Sequence, residues 1–155
     1  MAIKAQEVMQ KDLTVLSKDD LVIDAVKMFY IHKVTGVPVI EGNWYLVGFI
    51  SESDILKAAL PTYLETITSS TFLSNNGELS LFDKIHDIGL RRVEEFMTRE
   101  VISVDPSASL MSVADLMIRK RIKRLPVAKD GKYIGIIDRS AFCEFLMEGG
   151  VLGEQ

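Results

Sequence analysis

The sequence predicts an α+β protein of two tandem βαββα units, packed sheet to sheet about a pseudo-two-fold axis, with a helical linker inserted between them. Segments with apolar residues at spacings of three and four alternate with short β-branched runs, which indicates helices alternating with strands. The same order of segments occurs twice, since Pro38 and Pro126 stand 88 residues apart in matching contexts. Two units this small should bury their sheets by packing together.

The pattern of the first unit begins at Val8. The apolar residues Val22, Ala25, Val26 and Phe29 recur at helical spacing, and the helix should end before Pro38, which cannot continue it. Two β-prone runs joined by a turn at 41–43 form a hairpin, and a second helix follows at once. The predicted elements are strand 13–16, helix 21–33, strand 37–40, strand 44–50 and helix 52–60.

The linker and the second unit complete the pattern. Residues 66–80 are rich in Ser, Thr and Asn, which predicts an exposed excursion before a helix over 81–95. After the second hairpin the offset falls to 87, the distance from Gly48 to Gly135, as a one-residue change in a turn allows. The predicted boundaries are 1–57 for the first unit, 58–94 for the linker, 95–148 for the second unit and 149–155 for the tail.

Composition restricts the class of protein. The 155 residues are 48% hydrophobic and 26% charged, as in soluble globular domains. A net charge of −4 argues against binding to nucleic acid or to an anionic membrane surface. No apolar run reaches the roughly 18 residues needed to span a bilayer. A single cysteine, Cys143, cannot form an internal disulfide, so the expected location is the reducing cytoplasm.

The turn from strand to helix at Ser51 and Asp54 is the first candidate site. A helix N-terminus offers unpaired N–H groups that suit a phosphate, and a carboxylate beside it can hold hydroxyls such as those of a ribose. The same Ser-x-x-Asp spacing is close to a capping box, which satisfies those N–H groups without any ligand. The two roles are compatible, and both stay open.

The remaining histidine and cysteine side chains do not indicate an enzyme. His32 and His86 lack a partner at metal-ligand spacing, and Cys143 lies in an apolar helical stretch. The sequence contains no Ser/His/Asp or Cys/His arrangement typical of a catalytic nucleophile and its general base. We therefore expect no catalytic residue, no metal and no catalytic cofactor.

The ordered set of features resembles a known family. The order is Val-Met, a short strand, an amphipathic helix, an apolar residue before Pro-Val, a hairpin and then Gly-h-h-Ser-x-x-Asp, where h is an apolar residue. The resemblance to this order covers both repeats, about residues 7–57 and 95–147. This resembles a tandem pair of cystathionine β-synthase (CBS) domains, a Bateman module, of the stand-alone bacterial or archaeal type. The resemblance implies a regulatory module that senses an adenosine-containing ligand (AMP, ADP, ATP or similar) in the cleft between two motifs.

The resemblance also implies which residues bind. Asp54 would take the ribose hydroxyls and Ser51 would help to hold phosphate. The base would lie between two short segments of the first motif, and basic residues of the second motif would reach the phosphates. The residues implied in these two roles are Thr14, Val15, Thr35, Gly36, Val37 and Pro38 for the base, and Lys123 and Arg124 for the phosphates.

The second motif departs from the family pattern. Asp138 stands where Ser or Thr is usual, and Ala141 where the ribose-binding Asp is usual. Asp138 suits a helix N-cap but would repel a phosphate, so we expect one tight nucleotide per chain, bound at the first motif. For Lys123 and Arg124 a role at the helix end, facing water, stays open beside the ligand role.

The predicted helices carry more apolar residues than the core can cover, which indicates a contact with another protein chain. This surplus is plainest at Phe142, Phe145, Leu146 and Met147. Such surfaces usually mark interfaces, and two-fold pairing is the commonest arrangement, so we expect a homodimer. The regulated protein partner cannot be named from sequence. The alternative function is a ligand-free structural or dimerisation module that acts through its surfaces.

Overall fold

A computed structural model describes residues 2–60 and 75–153, which divide into two compact units. Among these described residues, the first unit comprises 14–41, 47–60 and 75–100, and the second comprises 2–13, 42–46 and 101–153. The helices are α1 (Ala5–Val8), α2 (Val22–His32), α3 (Glu52–Ala59), α4 (Asn75–Gly89), α5 (Leu110–Arg119) and α6 (Arg139–Gly153). The strands are β1 (Leu16–Ser17), β2 (Gly36–Glu41), β3 (Tyr45–Ser51), β4 (Arg124–Lys129) and β5 (Lys132–Asp138), and a 3-10 turn covers Val93–Glu95.

In the first unit, helices pack on a short sheet. Strand β1 runs parallel to β2, with Leu16 opposite Val39, and β2 lies between β1 and β3. Helix α2 buries Val22, Ala25 and Phe29, which are spaced by three and four residues and therefore share one face. The buried core of this unit is Leu16, Val22, Ala25, Phe29, Val37, Val39, Ile50, Ile55, Ala59, Ile88, Val93 and Met97.

The second unit repeats this plan. Strands β4 and β5 form an antiparallel hairpin, and Val104 forms a parallel bridge with Val127, as Leu16 does with Val39 in the first unit. The buried core of this unit is Ala5, Val104, Val113, Met117, Leu125, Val127, Ile137 and Phe142. The fold is thus α+β with two tandem motifs, which confirms the predicted class; the packing of the two sheets about a pseudo-two-fold axis stays a prediction.

Each compact unit includes the segment that precedes the other repeat. Residues 1–13 belong to the second unit, where the Gln10 N–H donates to the Ile136 carbonyl at 2.8 Å. Met97 belongs to the core of the first unit, where it lies against Gly48. The contiguous boundaries predicted from the repeat, 1–57 and 95–148, therefore describe the sequence motifs and differ from the compact units.

The predicted linker helix over 81–95 is wrong at both ends. Helix α4 begins at Asn75 and ends at Gly89, and residues 93–95 form a separate 3-10 turn. Glycine is a weak helix former, which is consistent with the end at Gly89. Of the excursion predicted over 66–80, residues 66–74 lie outside the described residues, and residues 75–80 are helical.

Candidate functional site

The start of α3 is a fully formed capping box. Ser51 is the N-cap in extended conformation, and its Oγ accepts a hydrogen bond from the Asp54 N–H at 3.2 Å. The Asp54 Oδ2 accepts from the Ser51 N–H at 2.9 Å and lies 3.1 Å from the Ser51 Oγ, which donates to it. The capping interpretation of Ser-x-x-Asp is therefore confirmed as far as the helix end itself is concerned.

The capping box leaves part of this helix end available. The first N–H of α3, from Glu52, donates to the Thr35 carbonyl at 2.9 Å. All the bonds to the Asp54 carboxylate use Oδ2, and Oδ1 makes no hydrogen bond with the residues that the structure describes. Ser51 and Asp54 are both partly exposed. A ligand hydroxyl could therefore use Oδ1 without breaking the cap.

The other residues implied for the first motif lie in the same unit. Thr35 is exposed, and the buried Gly36 begins β2. A Cβ added to Gly36 would lie 2.5 Å from Phe49 Cε1 and 3.0 Å from the Ile50 carbonyl oxygen, so no larger residue fits there. Thr14 lies two residues before the start of β1. If the parallel register that pairs Leu16 with Val39 continues, Thr14 is level with Val37.

The structure thus brings eight of the ten predicted binding residues into one unit: Thr14, Val15, Thr35, Gly36, Val37, Pro38, Ser51 and Asp54. The other two, Lys123 and Arg124, belong to the second unit.

The corresponding helix end of the second unit is built on the same backbone plan. The first N–H of α6, from Arg139, donates to the Lys123 carbonyl at 2.8 Å, as Glu52 does to Thr35. The Asp138 Oδ1 accepts from the Ser140 N–H at 3.1 Å and from its Oγ at 2.8 Å. The prediction that Asp138 caps this helix is confirmed.

Arg124 does not reach outward as the basic cluster suggested. Its side chain is only 6% exposed, with Nη2 at 3.4 Å from Asp12 Oδ2 and Nε at 3.7 Å from Asp138 Oδ2. Lys123, by contrast, is exposed. Sequence reasoning missed Asp12, because 112 residues separate it from Arg124 and no motif includes it.

Tyr133 completes this buried cluster. Its hydroxyl donates to the Asp12 carbonyl at 2.6 Å, and the residue is 5% exposed. Burial raises the pKa of Tyr133 from 10.0 to about 12, with the charge of Asp12 acting in the same direction and that of Arg124 against it. The tyrosine therefore stays neutral and keeps its hydrogen bond at physiological pH.

An apolar groove of about 650 Å³ opens on the surface of the first unit, between helices α2, α3 and α4. Its lining includes Ile23, Val26, Tyr30 and Leu56, each of which is at least 43% exposed. The sequence predicted surplus apolar residues on α2 and α3 but not that they would line a groove. An exposed apolar surface of this kind usually marks a contact with another molecule. Among the residues where the surplus was expected to be plainest, Phe142 is instead 4% exposed and lies in the core of the second unit.

Residues 2–60 and 75–153 contain neither a metal-binding cluster nor a membrane-spanning helix. No cluster of three or more His, Cys, Asp or Glu side chains could hold a metal ion. No helix there is long and apolar enough to cross a membrane.

Comparison with known families matches residues 5–61 and 93–148 to the CBS domain. The chain belongs to the CBS domain family. The two matched segments contain both helix ends described above, so the resemblance to a CBS pair is confirmed. Each CBS motif contributes a hairpin followed by a capped helix, Ser51 in the first motif and Asp138 in the second.

Several similar proteins cover nearly the whole chain. An uncharacterised protein of Methanocaldococcus jannaschii is 35% identical over 156 residues, which is 92% of this chain and 90% of that protein. The structure of the CBS-pair protein CBSX2 from Arabidopsis thaliana is 29% identical, with a TM-score of 0.74, over 97% of this chain and 98% of that chain. A structure of CBSX2 in complex with AMP is 28% identical, with a TM-score of 0.71, over 95% of this chain and 98% of that chain.

Proposed function

We propose that this chain is a regulatory module that binds an adenine nucleotide (AMP, ADP, ATP or a similar adenosine-containing ligand) at its first CBS motif. The observation that carries the proposal is the helix end at Asp54, where a carboxylate oxygen remains available beside a formed cap. Eight residues with the family's binding pattern lie in the unit around it. The AMP complex of CBSX2, which this chain resembles over nearly its whole length, supports the choice of ligand class.

The proposal assigns one role to each part of the site. Asp54 Oδ1 accepts the ribose hydroxyls, Ser51 helps to hold phosphate, and the backbone from Thr35 to Pro38, with Thr14 and Val15, frames the base. Lys123, which is exposed, supplies the counter-charge of the phosphate. Arg124 is left out of this list because its guanidinium pairs with two carboxylates of its own unit.

A second candidate function is a ligand-free structural or dimerisation module. The apolar groove between α2, α3 and α4 favours it, since the groove offers a surface for a second copy of the chain. We propose the homodimer under either function, with a regulated protein partner still to be named. We also propose that the chain acts in the cytoplasm and catalyses no reaction.

A thermal-shift screen of the purified chain separates the two functions. The ligands are AMP, ADP, ATP, S-adenosylmethionine and NADH. A ligand at 100 times its Kd adds about 2.7 kcal/mol to the free energy of unfolding, which raises Tm by several degrees. We expect at least one adenine nucleotide to raise Tm in the unmodified chain and to raise it much less in Asp54→Ala. No shift with any of the five would favour the structural module.

A further inference from the structure

The two CBS motifs differ at a pair of matching positions that lie close together in the fold. Arg124 stands where the first motif has Gly36, 88 residues earlier, and Asp138 stands where it has Ser51, 87 residues earlier. In the first motif this pair carries no charge. In the second motif it is an ion pair, with 3.7 Å between Arg124 Nε and Asp138 Oδ2.

The Asp138 carboxylate is held by the kinds of group that bind a phosphate. A backbone N–H in the first turn of α6 and the hydroxyl of Ser140 donate to its Oδ1. A guanidinium approaches its Oδ2. Helix N-terminal N–H groups, hydroxyls and arginine are typical phosphate ligands. The Asp138 side chain is 37% exposed whereas that of Arg124 is 6% exposed, so the anion reaches solvent and the cation lies beneath it.

The surrounding core is adapted to the arginine. In the first motif the ring of Phe49 lies so close to Gly36 that a Cβ there would collide with it. The residue matching Phe49 in the second motif is Ile136, which is smaller and 1% exposed. The exchange of Gly36 and Phe49 for Arg124 and Ile136 therefore leaves room for a longer side chain at the start of β4. Asp12, at 3.4 Å from Nη2, gives the guanidinium a second carboxylate.

We propose that the second CBS motif occupies its own anion site: the Asp138 carboxylate takes the place of a nucleotide phosphate, and Arg124 is its counter-ion. Two carboxylates face one guanidinium, so this cluster has no surplus positive charge to offer a phosphate. The inference rests on the proposed nucleotide-binding function of the first motif. It makes Arg124 and Asp138 the residues that limit the chain to one nucleotide.

Calorimetric titration of the full chain with AMP tests this inference. We expect one binding event per chain without substitution. The pair Asp138→Ser with Ala141→Asp, which copies Ser51 and Asp54, should add a second event. Adding Arg124→Met to that pair should weaken the second event at least tenfold, because the vacated site then lacks its cation. The first event, which occurs at the other motif, reports that each variant is folded.

Two results of this titration would overturn the inference. One is a second event of equal affinity with and without Arg124→Met, which would show that the arginine takes no part. The other is the absence of a second event in the double variant while the first event persists. If Arg124→Met prevents folding, Arg124→Lys replaces it; the charge is then kept but the planar guanidinium is lost, and we expect a weaker second event.

A probe without adenosine keeps the inference separate from the proposed function. Sodium pyrophosphate, compared with sodium chloride of equal ionic strength, should raise the Tm of Asp138→Ser but not of the unmodified chain or of Asp138→Ser with Arg124→Met. A chain whose Tm responds to none of the five ligands of the thermal-shift screen would disprove the proposed function and leave this comparison valid. Equal responses of all three proteins to pyrophosphate would disprove the self-occupied site.

Discussion

At the scale of single residues, Asp54 and Asp138 show how a helix-capping carboxylate can serve two purposes, Asp54 from the third position of α3 and Asp138 from the N-cap of α6. Asp54 uses one carboxylate oxygen for the cap of α3 and keeps the other available. Asp138 uses one oxygen for the cap of α6 and turns the other toward a buried arginine. Both caps could be predicted from local sequence, since capping depends on residues within one turn. The contact of Arg124 with Asp12 could not, because it spans 112 positions.

Replacing Asp54 tests whether it does more than cap. Asp54→Ala should lower the free energy of unfolding by about 1 kcal/mol. It should also weaken AMP binding by about 1–3 kcal/mol, since the ribose hydroxyls lose their acceptor. Asp24→Ala is the matched control, because Asp24 Oδ2 accepts from the Leu21 N–H at the start of α2 in the same way. If both variants lost the same stability and kept the same affinity for AMP, Asp54 would have no role beyond capping α3.

The raised pKa of Tyr133 predicts a pH dependence of stability. The folded tyrosine has a pKa of about 12 and the unfolded one about 10. As pH rises above 10, the unfolded chain loses this proton first, so the free energy of unfolding should fall between pH 10 and 12. Urea denaturation at pH 9 and pH 11 measures the fall. Tyr133→Phe should be less stable at pH 9, having lost the bond to Asp12, and should show a smaller fall; an equal fall would refute the assignment.

At the scale of helices and strands, the repeat predicted most elements but not which unit each segment joins. The hydrophobic period predicted α2 within one residue at each end, because its apolar face packs on a sheet. Residues 1–13 and Met97 pack on the unit of the other repeat, and no periodicity encodes that choice. The start of α4 was missed because Asn75, Asn76 and Gly77 favour turns in isolation and are helical here.

Two glycines give opposite predictions for alanine substitution. A Cβ on Gly135 would lie 2.8 Å from the carbonyl oxygen of Gln10 and 2.7 Å from Met9 Sδ, so Gly135→Ala should destabilise the second unit by about 1–3 kcal/mol. A Cβ on Gly89 would meet Ile23 at an ordinary 3.7 Å, so Gly89→Ala should stabilise α4 by up to about 1 kcal/mol. Thermal melts measure both changes. A neutral Gly135→Ala would show that residues 1–13 do not pack on β5.

The groove between α2, α3 and α4 predicts the dimer contact. Leu56 lines it and is 54% exposed, so Leu56→Glu should place a charge in the interface and shift the chain toward monomer. Lys57→Glu, at the next position of α3 and outside the lining, is the matched control and should stay dimeric. Sedimentation velocity at tens of micromolar protein measures whether each of the three proteins is a monomer or a dimer. An unmodified chain that sediments as a monomer at that concentration would contradict the proposal.

At the scale of the whole molecule, the repeat predicts the architecture while the differences between its copies predict the function. A repeat offset of 88 residues was enough to predict two tandem motifs, because related units keep their element order. The ligand could be inferred only through family resemblance, since a capped helix end has the same local pattern with or without a nucleotide. The asymmetry between Ser51 and Asp138 was visible in the sequence, whereas the buried partner of Asp138 required three-dimensional contacts.

The central claim is that one adenine nucleotide binds at the first CBS motif of each chain, and a crystal structure grown with AMP tests it most directly. The account predicts nucleotide density at the start of α3, with a ribose hydroxyl within hydrogen-bonding distance of Asp54 Oδ1, and the Arg124–Asp138 pair intact. Density for AMP against Asp138 and Ala141, with the start of α3 empty, would contradict it.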